Sequence, residues 1–528
     1  MTVARTAAEV LDGHVTLEVE SIDRMYLNLY QPQLQRELGV VGFFKERGFA
    51  FASGALMQPI TTAFLAAIKT FVDQRQVDLV RFGAGERKDD IAQAYLEASD
   101  GSEQILFVGV AQEKARLWTT EKRRNPETGA SYPWLVRASR VVNHYYFYGL
   151  DDDFGLFFIK LCSYFPYNGK VLINGHHFAQ RQAAKAGVAF DALDNGFASC
   201  DDPEALQAIC DRLDAPTIDA FVRKWLARLP HPYTAADRKA GFRYEVSMLQ
   251  TEFALTQVLD RPLDGRIFFE DVIRHNLDLG RPDRVGLIFD RQIRTRGKRP
   301  TPSRFRTRVI TEGVTPSLHV DYKHSKIKQY HKLGRALRTE TTINDTYDFG
   351  IGRRLHNLAA LRQVGFSANR RLLDVQRTSH DPAIGSQRLA EVSGPVTVDE
   401  VRKAPGLKFG DARVHALLAC LLAFRLTVEG FTNAQLRARV AEMLGIESLS
   451  AGQMTYDLRR LRLHGIIERI PHTFRYRLTS YGLETAIAYT LAHDRVLKPG
   501  IAHITDTALP SELRRAYDRF ASRSCLAA

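Results

Sequence analysis

Cysteine is scarce in this sequence, and the cysteines that occur follow no recognisable pattern. Their number is odd, they lie far apart and no CxxC pair occurs, which argues against a disulfide framework and against a zinc ribbon. The chain also lacks the apolar segment of a signal peptide and any run of about eighteen apolar residues that would predict a membrane span. We therefore expect a protein of the reducing cytoplasm with no membrane partner. The cysteines are Cys162, Cys200, Cys210, Cys420 and Cys525.

Acidic residues are also in deficit. The 60 Asp and Glu residues are outnumbered by 73 Lys and Arg, which gives a net charge of +13, while 45% apolar residues predict ordinary folded domains. The deficit is greatest in residues 291–308, which contain eight Lys or Arg and no acid. Clustered positive charge favours nucleic acid as the partner, because neutralised phosphates release counterions; a solvated basic surface is the alternative. The candidate contacts in this run are Arg294, Arg296, Lys298, Arg299, Arg304 and Arg306.

The first 140 residues predict an α/β region. Apolar residues at helical spacing in residues 59–74 are followed by a strand at 77–82, a helix and a strand at 105–110, which is the order of a βαβ unit. Residues 121–137 are interpreted as a polar turn that places a basic cluster beside Trp134. The four aromatic residues at 145–148 have two interpretations, a stacking platform for unpaired bases or the filling of a core.

Residues 141–377 predict an α+β body with a basic antiparallel sheet. The segment from Val285 is expected to open a meander of four strands that runs to Asn344, and residues 348–377 are expected to be helical. Residues 378–410 mix Pro, Gly and Ser and are interpreted as a linker. A C-terminal module at 411–495 and a tail at 496–528 complete the chain.

Strand periodicity within this sheet suggests a candidate site. It places Lys328, Tyr330 and Lys332 on one face of a strand, and Arg338 and Glu340 on one face of the next. Lysines lower the cost of a tyrosinate and hold a phosphodiester, and a glutamate accepts a proton or helps to bind Mg²⁺. The alternative is a half-solvated sheet with cross-strand ion pairs.

The same residues, in the pattern KxYxK followed by LRxE, resemble a segment of the rolling-circle replication initiators of phages and plasmids. The resemblance implies an enzyme that nicks and joins single strands through a phosphotyrosine link, with Mg²⁺ or Mn²⁺. Those enzymes bind the metal through two histidines separated by one residue, whereas His176 and His177 are adjacent here. Asp152, within a run of three aspartates, is a further candidate metal ligand. With Asp194, this run could hold Mg²⁺ for a two-metal nuclease. The alternative is that the three aspartates only form a hairpin turn. Tyr322 is an alternative nucleophile.

The C-terminal module has the clearest pattern. A buried helix at 414–426 precedes a helix capped by Thr432 or Asn433 and ended by Gly445, and Ser450 caps a third, basic helix. Two short strands follow. This order resembles the winged helix-turn-helix family, which implies that the third helix enters the major groove while the wing contacts the backbone. By this resemblance the DNA contacts are Gln453, Tyr456, Arg459, Arg460 and Arg462 on the helix and His472, Arg475 and Arg477 on the wing; a winged helix used for protein contact is the alternative.

These patterns together predict an α+β multidomain protein, with a mixed α/β N-terminal body, a central basic antiparallel sheet and a C-terminal winged helix. We expect a DNA-processing protein that binds duplex DNA at the winged helix and a single strand at the body. A non-enzymatic DNA- or RNA-binding protein and a transcriptional regulator are the alternatives.

Overall fold

The chain folds into two compact units with mixed α and β structure. The structure, a computed structural model, describes residues 14–83, 85–193, 195–261, 269, 285, 288–290, 306–310, 316–380, 382–398, 402–422, 430–471 and 473–493. The N-terminal unit comprises Leu17–Thr256 and Thr342–Gly365, and the C-terminal unit comprises Met1–Thr16, Gln257–Thr341 and Phe366–Ala528. Each element is assigned below to the unit that holds most of its residues.

Seven strands of the N-terminal unit lie side by side in the order β9-β1-β6-β5-β4-β3-β2. Strand β2 pairs with β3 in parallel, whereas β3–β4, β4–β5, β5–β6 and β1–β6 are antiparallel. The elements of this unit are β1 (Val15–Tyr30), α1 (Glu37–Glu46), α2 (Gly54–Arg75), β2 (Asp78–Arg81), α3 (Lys88–Ala98), β3 (Gln104–Arg124), β4 (Ser131–Asp151), β5 (Gly155–Cys162), β6 (Gly169–Asn174), α4 (Gly175–Lys185), β7 (Phe190–Leu193), β8 (Gly196–Cys200), α5 (Pro203–Asp211), α6 (Ala215–Arg228), α7 (Ala235–Lys239) and β9 (Glu245–Leu259).

The predicted βαβ unit is confirmed, since α3 connects the parallel strands β2 and β3. Aromatic rings between this helix and the sheet form its core, where Phe107 stacks on Tyr95 at 4.4 Å and on Tyr148 at 4.7 Å between ring centroids. Tyr146, Phe147 and Tyr148 are all buried. The aromatic run at 145–148 therefore fills the core, and its interpretation as a stacking platform is wrong for these three rings.

Residues 121–137, interpreted as a turn, are mostly strand. β3 and β4 are 21 residues long and pair from Gln104–Leu150 to Arg124–Ser131, with a register shift between Ile105 and Phe107, which leaves only residues 125–130 for the turn. The polar side chains had suggested a loop, but both faces of a two-stranded ribbon accept polar residues when water covers them. The domain boundary predicted at residue 140 falls inside β4 and is incorrect.

Helix α2 is the one helix among the described residues that is long and apolar enough to cross a membrane by length and composition. One side of it packs within the N-terminal unit. The ring centroids of Phe64 and Tyr167 are 5.7 Å apart, and the hydroxyls of Thr61 and Tyr167 are 3.1 Å apart. These contacts hold one side of α2 against the N-terminal unit.

The C-terminal unit contains a meander of four strands, in the order β10-β11-β12-β13. β10–β11 and β11–β12 are antiparallel, and residues 333–335 connect β12 to β13 as a tight hairpin. The expected opening strand is wrong, because Val285, Ile288 and Phe289 are helical and buried; a short apolar run fits either structure. The strands are β10 (Arg306–Ile310), β11 (Ser317–Tyr322), β12 (Ser325–Lys332) and β13 (Ala336–Ile343).

The described part of residues 378–410, interpreted as a linker, is structured. It contains a helix at 382–393 and a β-hairpin formed by 396–398 and 402–404, and the apolar residues Val392, Ala404 and Leu407 are buried. Proline and glycine here end elements rather than loosen the chain. The elements of this region and of the predicted C-terminal module are α8 (Leu358–His380), α9 (Pro382–Ser393), β14 (Val396–Val398), β15 (Arg402–Ala404), α10 (Ala412–Leu422), α11 (Asn433–Leu444), α12 (Ala451–Leu463), β16 (Ile467–Arg469), β17 (Tyr476–Leu478) and α13 (Ser480–Ala492).

The predicted caps of the C-terminal module are confirmed. Thr432 and Ser450 each form a capping box, with Gln435 and Gln453 respectively, and Gly445 ends α11 at a φ of 69°. Residues 411–493 thus follow the order helix, helix, helix, β-hairpin, helix. We call residues 411–479 the helix–hairpin module.

Candidate nucleic-acid interface

Tyr330 lies in a polar cluster on the β12–β13 hairpin, and the side chains of this cluster lie on the strand faces that the sequence periodicity predicted. The hydroxyl of Tyr330 donates to Oε1 of Glu340 at 2.8 Å, and Nε of Arg338 lies 2.5 Å from the same oxygen. Nζ of Lys328 is 4.1 Å from the centroid of the Tyr330 ring. On the opposite face, Gln329 donates to Thr339. The two polar faces therefore meet as expected.

The chemistry of this cluster is that of a phenol beside a proton acceptor. A carboxylate at hydrogen-bond distance can take the proton of Tyr330 when the phenol oxygen attacks an electrophile. Lys328, Tyr330 and Lys332 line a pocket of about 270 Å³. Tyr322, the alternative nucleophile, is 1% exposed and stacks on Phe289 at 5.0 Å, so burial argues against it.

The predicted metal ligands do not come together. His176 is fully buried at the start of α4, with Nε2 3.4 Å from Oδ1 of Asp23. Burial lowers the pKa of His177, and Arg181 adds to the effect. Asp152 is exposed in the β4–β5 turn. Among the described residues, no group of three potential ligand atoms includes His176, His177 or Asp152, so the residues present do not fit a metal site there.

The two aspartates beside Asp152 have structural partners. Asp151 accepts hydrogen bonds from Lys224 at 2.7 Å and from the indole of Trp225 at 2.8 Å. Asp153 accepts from Lys185 at 2.7 Å and from Gln182. These contacts and the hairpin turn support the structural interpretation of the aspartate run. Asp194 lies outside the described residues.

Helix α12 of the helix–hairpin module presents part of its predicted DNA-binding set to solvent. Met454, Leu458 and Leu461 are buried, as the periodicity predicted, and Gln453, Tyr456 and Arg462 are exposed, Tyr456 by 50%. On the hairpin, Arg477 pairs with Glu468 at 2.5 Å and Arg475 donates to the carbonyl of Gly430. His472 lies outside the described residues.

Two arginines of α12 contact the protein itself. Nε of Arg460 donates to the carbonyl of Pro405 at 3.0 Å, and its Nη2 donates to that of Gly406. Nη1 of Arg459 is 3.3 Å from the carbonyl of Lys403. Arg459 therefore binds strand β15 to the helix–hairpin module, and Arg460 binds the two residues that follow this strand. Helical spacing alone could not reveal this role, because it depends on a segment expected to be a linker.

Of the basic run at 291–308, the structure describes only residues 306–308, on strand β10. Arg306 is exposed, and Arg308 pairs with Asp321 at 3.0 Å. The other predicted contacts, Arg294, Arg296, Lys298, Arg299 and Arg304, lie outside the described residues.

The N-terminal unit contains a positively charged cleft that sequence patterns did not predict. We call it the basic cleft; it has a volume of about 1010 Å³, and its lining includes two glutamates, Glu37 and Glu113, and no aspartate. Strands β1, β3, β4, β5 and β6, helix α1 and residues 347–354 contribute to it. Its eight cations are Arg36, Lys114, Arg116, Arg137, Lys160, Lys170, Arg353 and Arg354.

The floor of the basic cleft holds two lysines directly opposite each other. Lys160 of β5 and Lys170 of β6 are register partners, and Asn28 of β1 is the partner of Lys170 on its other side. Nζ of Lys160, 8% exposed, lies 2.5 Å from Oε2 of Glu113. Burial lowers the pKa of Lys160, Glu113 opposes this effect, and Lys170 and Lys88 add to it. Like charges facing each other across a sheet are destabilising.

Glu113 is the hub of this charge cluster. Its other oxygen accepts from Lys88 at 2.9 Å and from the hydroxyl of Tyr146. Burial alone raises the pKa of Glu113, but the hydrogen bonds from Lys160, Tyr146 and Lys88 outweigh it and lower the pKa to about 2. Glu113 is therefore fully ionised at neutral pH, and its single charge is shared between two lysines.

Most other cations of the cleft have no acidic partner. Arg137 donates to the carbonyl of Gln35 at 3.0 Å and stacks over Trp118 at 4.1 Å, and Arg353 pairs with Asp345. Burial lowers the pKa of Arg137, and Arg116 adds to the effect. Within the described part of the chain, six of the cations form no ion pair: Arg36, Lys114, Arg116, Arg137, Lys170 and Arg354.

The sequence offers little signal for this cleft. Its cations come from positions between 36 and 354, only Arg353 and Arg354 are adjacent in the sequence, and they converge only through the strand order. Comparison of the chain with protein-family models, with curated proteins and with solved structures finds no match. The candidate function therefore rests on the geometry of these residues.

Proposed function

We propose that the protein binds nucleic acid, and that the basic cleft holds the phosphate backbone. The observation that carries this proposal is the convergence of eight Lys and Arg residues, six of them without an acidic partner among the described residues, around one cleft. Clefts lined by one sign of charge focus the electric field and concentrate ligands of the opposite sign. A ligand that brings several phosphates neutralises this charge in a single binding event.

The size and the chemistry of the cleft favour a chain of phosphates over a small anion. Its cations are spread over several strands, a helix and a loop, and about 1010 Å³ is the volume of a large ligand site. Amides and a hydroxyl, Asn28, Gln35, Asn168 and Ser247, line it beside the cations and offer hydrogen bonds to sugars and bases. DNA is the partner that we propose, with RNA as the alternative and the cytoplasm as the location.

Duplex recognition is assigned to the helix–hairpin module, on its resemblance to the winged helix-turn-helix family. Support comes from the order of its elements and from the exposure of Gln453, Tyr456 and Arg462 on α12. In such modules the third helix enters the major groove. Because Arg459 and Arg460 bind the segment at 403–406, we restrict the proposed base and backbone contacts of this helix to the other three residues.

Strand nicking at Tyr330 is a second candidate function. It is favoured by one observation, the 2.8 Å hydrogen bond from the Tyr330 hydroxyl to Glu340. The phenol oxygen would attack the phosphorus of a phosphodiester while its proton passes to Glu340, and the P–O bond to the sugar would break. Glu340 would then give that proton to the leaving sugar oxygen, which leaves a phosphotyrosine link and a free sugar hydroxyl. Lys328 and Lys332 lie in the same pocket and would neutralise phosphate charge.

The test of the cleft is a pair of substitutions that removes two unpaired cations, Arg116→Ala with Lys170→Ala. Removal of one cation that neutralises a phosphate should reduce the slope of log K against log salt by about 0.7 for a single strand or about 0.9 for a duplex. We therefore expect the slope of oligonucleotide binding, measured by fluorescence anisotropy, to fall by about 1.4 to 1.8. Binding should weaken for all sequences alike.

The matched control is Lys69→Ala with Arg212→Ala, which removes the same charges from exposed positions of the N-terminal unit outside the cleft. Thermal unfolding and circular dichroism report whether both variants fold as the wild type does. An affinity and a salt slope that are the same in the cleft variant and in the control would refute the proposal.

A further inference from the structure

The β3–β4 hairpin extends beyond the sheet as a two-stranded ribbon. β2 pairs with β3 only as far as Val110, and β5 pairs with β4 only from His144 onward. Residues 112–124 and 131–143 therefore have only each other as strand partners among the described strands. At about 3.3 Å per residue, this ribbon is roughly 40 Å long.

The root of the ribbon is packed and its tip is not. The indole of Trp118 donates to the carbonyl of Leu34 at 2.8 Å, and Gly54 donates to the hydroxyl of Thr120. Leu117 and Leu135 are buried. Residues 121–134, which we call the ribbon tip, contain no buried residue. The tip is therefore a projecting element with nothing in the described chain packed over it.

Two exposed aromatic side chains lie on one face of the ribbon tip. Tyr132 and Trp134 are each 39% exposed, and their ring centroids are 6.3 Å apart. The guanidinium of Arg123 lies 4.6 Å from the centroid of Trp134, and Arg123 is the register partner of Tyr132. Lys122 and Arg124 point to the other face by strand alternation. An aromatic pair with basic residues on both faces is the pattern of a surface that stacks bases and neutralises phosphates.

The turn of the ribbon is held in one conformation. Oδ1 of Asn125 accepts a hydrogen bond from the backbone N–H of Glu127 at 2.8 Å, and the backbone N–H of Asn125 donates to the carbonyl of Ala130 at 2.9 Å. Gly129 has a φ of 68°. Glycine adopts this left-handed conformation without strain. A tip that is ordered before binding loses less entropy when a ligand is bound.

We propose that Tyr132 and Trp134 form a stacking site for unpaired bases, so that the ribbon tip binds single-stranded nucleic acid. Charge complementarity supports this ligand, as does continuity with the basic cleft, because Arg116, Trp118 and Arg137 at the root of the ribbon also line the cleft. A strand that leaves the cleft along the ribbon reaches the tip. The bases of a duplex are stacked on each other and offer no face to these rings. The inference rests on the proposed function for the nature of the ligand, but it concerns a different surface.

Fluorescence provides a direct readout of the tip. The protein has three tryptophans; Trp118, in the wall of the basic cleft, and Trp225 are 7% and 2% exposed, so Trp134, at 39%, is the most exposed indole. We expect an oligothymidine to quench the intrinsic fluorescence and an equimolar duplex to quench it far less. Trp134→Phe should abolish most of the quenching and keep the affinity, because phenylalanine also stacks.

The affinities for a normal and an abasic oligonucleotide distinguish base stacking from charge attraction at the ribbon tip. Tyr132→Ala with Trp134→Ala should weaken oligothymidine binding about 5- to 150-fold, the range of one stacked base, and should leave binding of an abasic oligonucleotide of the same length unchanged. The matched control is Tyr164→Ala, a tyrosine of the same unit that is 40% exposed and does not line the cleft. Thermal unfolding should be the same for all three proteins.

The outcomes distinguish the two proposals. If wild-type protein binds neither oligonucleotide, both the proposed function and this inference are refuted. If it binds the normal and the abasic strand equally, or if the double variant loses affinity for both, the stacking site alone is refuted. Light scattering that shows a dimer in the wild type and a monomer in Trp134→Ala would also overturn it, since the rings would then cover a second copy of the chain.

Discussion

Replacement of Glu113 by glutamine tests the charge cluster beneath the basic cleft. Glutamine keeps the size of the side chain and can still accept a hydrogen bond from Tyr146, but it removes the negative charge that neutralises Lys160 and Lys88. Lys160 would then be a buried cation facing Lys170, with no acidic partner. We expect the Glu113→Gln variant to fold less stably and to bind anions more tightly.

The pKa of Glu113 sets the size of the effect. Its pKa is about 2 in the folded protein and 4.5 for an ordinary glutamate. At about 1.4 kcal/mol per pKa unit, this difference is worth roughly 3 kcal/mol, and we expect about 2–3 kcal/mol because the side chain is partly in contact with water. The folded pKa is the lower one, so this stabilisation is complete above pH 4.5 and is lost as the pH falls towards 2.

Urea unfolding of both proteins between pH 7 and pH 2.5 measures this difference. The free energy of unfolding of Glu113→Gln should lie about 2–3 kcal/mol below that of the wild type at pH 7, and the gap should close as the pH falls. Glu97→Gln, at an exposed position on α3, is the control and should show no gap. A gap that is independent of pH would refute the assignment of the stabilisation to the charge of Glu113.

The remaining predictions concern the C-terminal unit. Arg460→Ala should lower the melting temperature because it releases the carbonyls of Pro405 and Gly406, whereas Arg462→Ala should leave it unchanged and weaken duplex binding; the reverse pattern, in calorimetry and anisotropy, would contradict these roles. If Tyr330 is a nucleophile, a labelled single strand incubated with the protein, with and without Mg²⁺ or Mn²⁺, should give a covalent adduct on a denaturing gel that Tyr330→Phe abolishes and Glu340→Gln reduces. No adduct under any of these conditions, or an adduct that survives Tyr330→Phe, would exclude the nicking function at this residue.

Local patterns predicted much of the fold. Helical spacing located α2, and strand alternation assigned the correct faces of β12 and β13, because both depend only on residues close in sequence. Capping residues marked the ends of α11 and α12. The errors share one cause: the 285–289 segment, the β3–β4 ribbon and the region 378–410 have ambiguous local composition, and packing or register decides their structure.

The candidate sites also fall into those that local sequence patterns predict and those that depend on tertiary structure. The Tyr330–Glu340 contact joins residues ten apart across a tight turn, so periodicity predicted it. Sequence spacing also predicted that Arg460 lies on the polar side of α12. Its hydrogen-bond partners, however, are 54 and 55 residues away in the sequence, so no local pattern could predict them. The basic cleft needs the order of five strands, and that order is a tertiary property.

The arrangement of charge in the N-terminal unit is difficult to explain by stability alone. Replacement of a buried ion pair by apolar residues of similar size is often neutral or stabilising, so Lys160 and Glu113 are not needed to hold the sheet together. Lys170, the register partner of Lys160, adds repulsion that no acid in the described chain neutralises. The ribbon shows the same feature at its tip, where Tyr132 and Trp134 stay in water although packing would bury them. A ligand that brings phosphates to the cleft and bases to the ribbon tip would offset both the charge repulsion in the cleft and the exposure of the aromatic rings. A single strand of nucleic acid carries both groups.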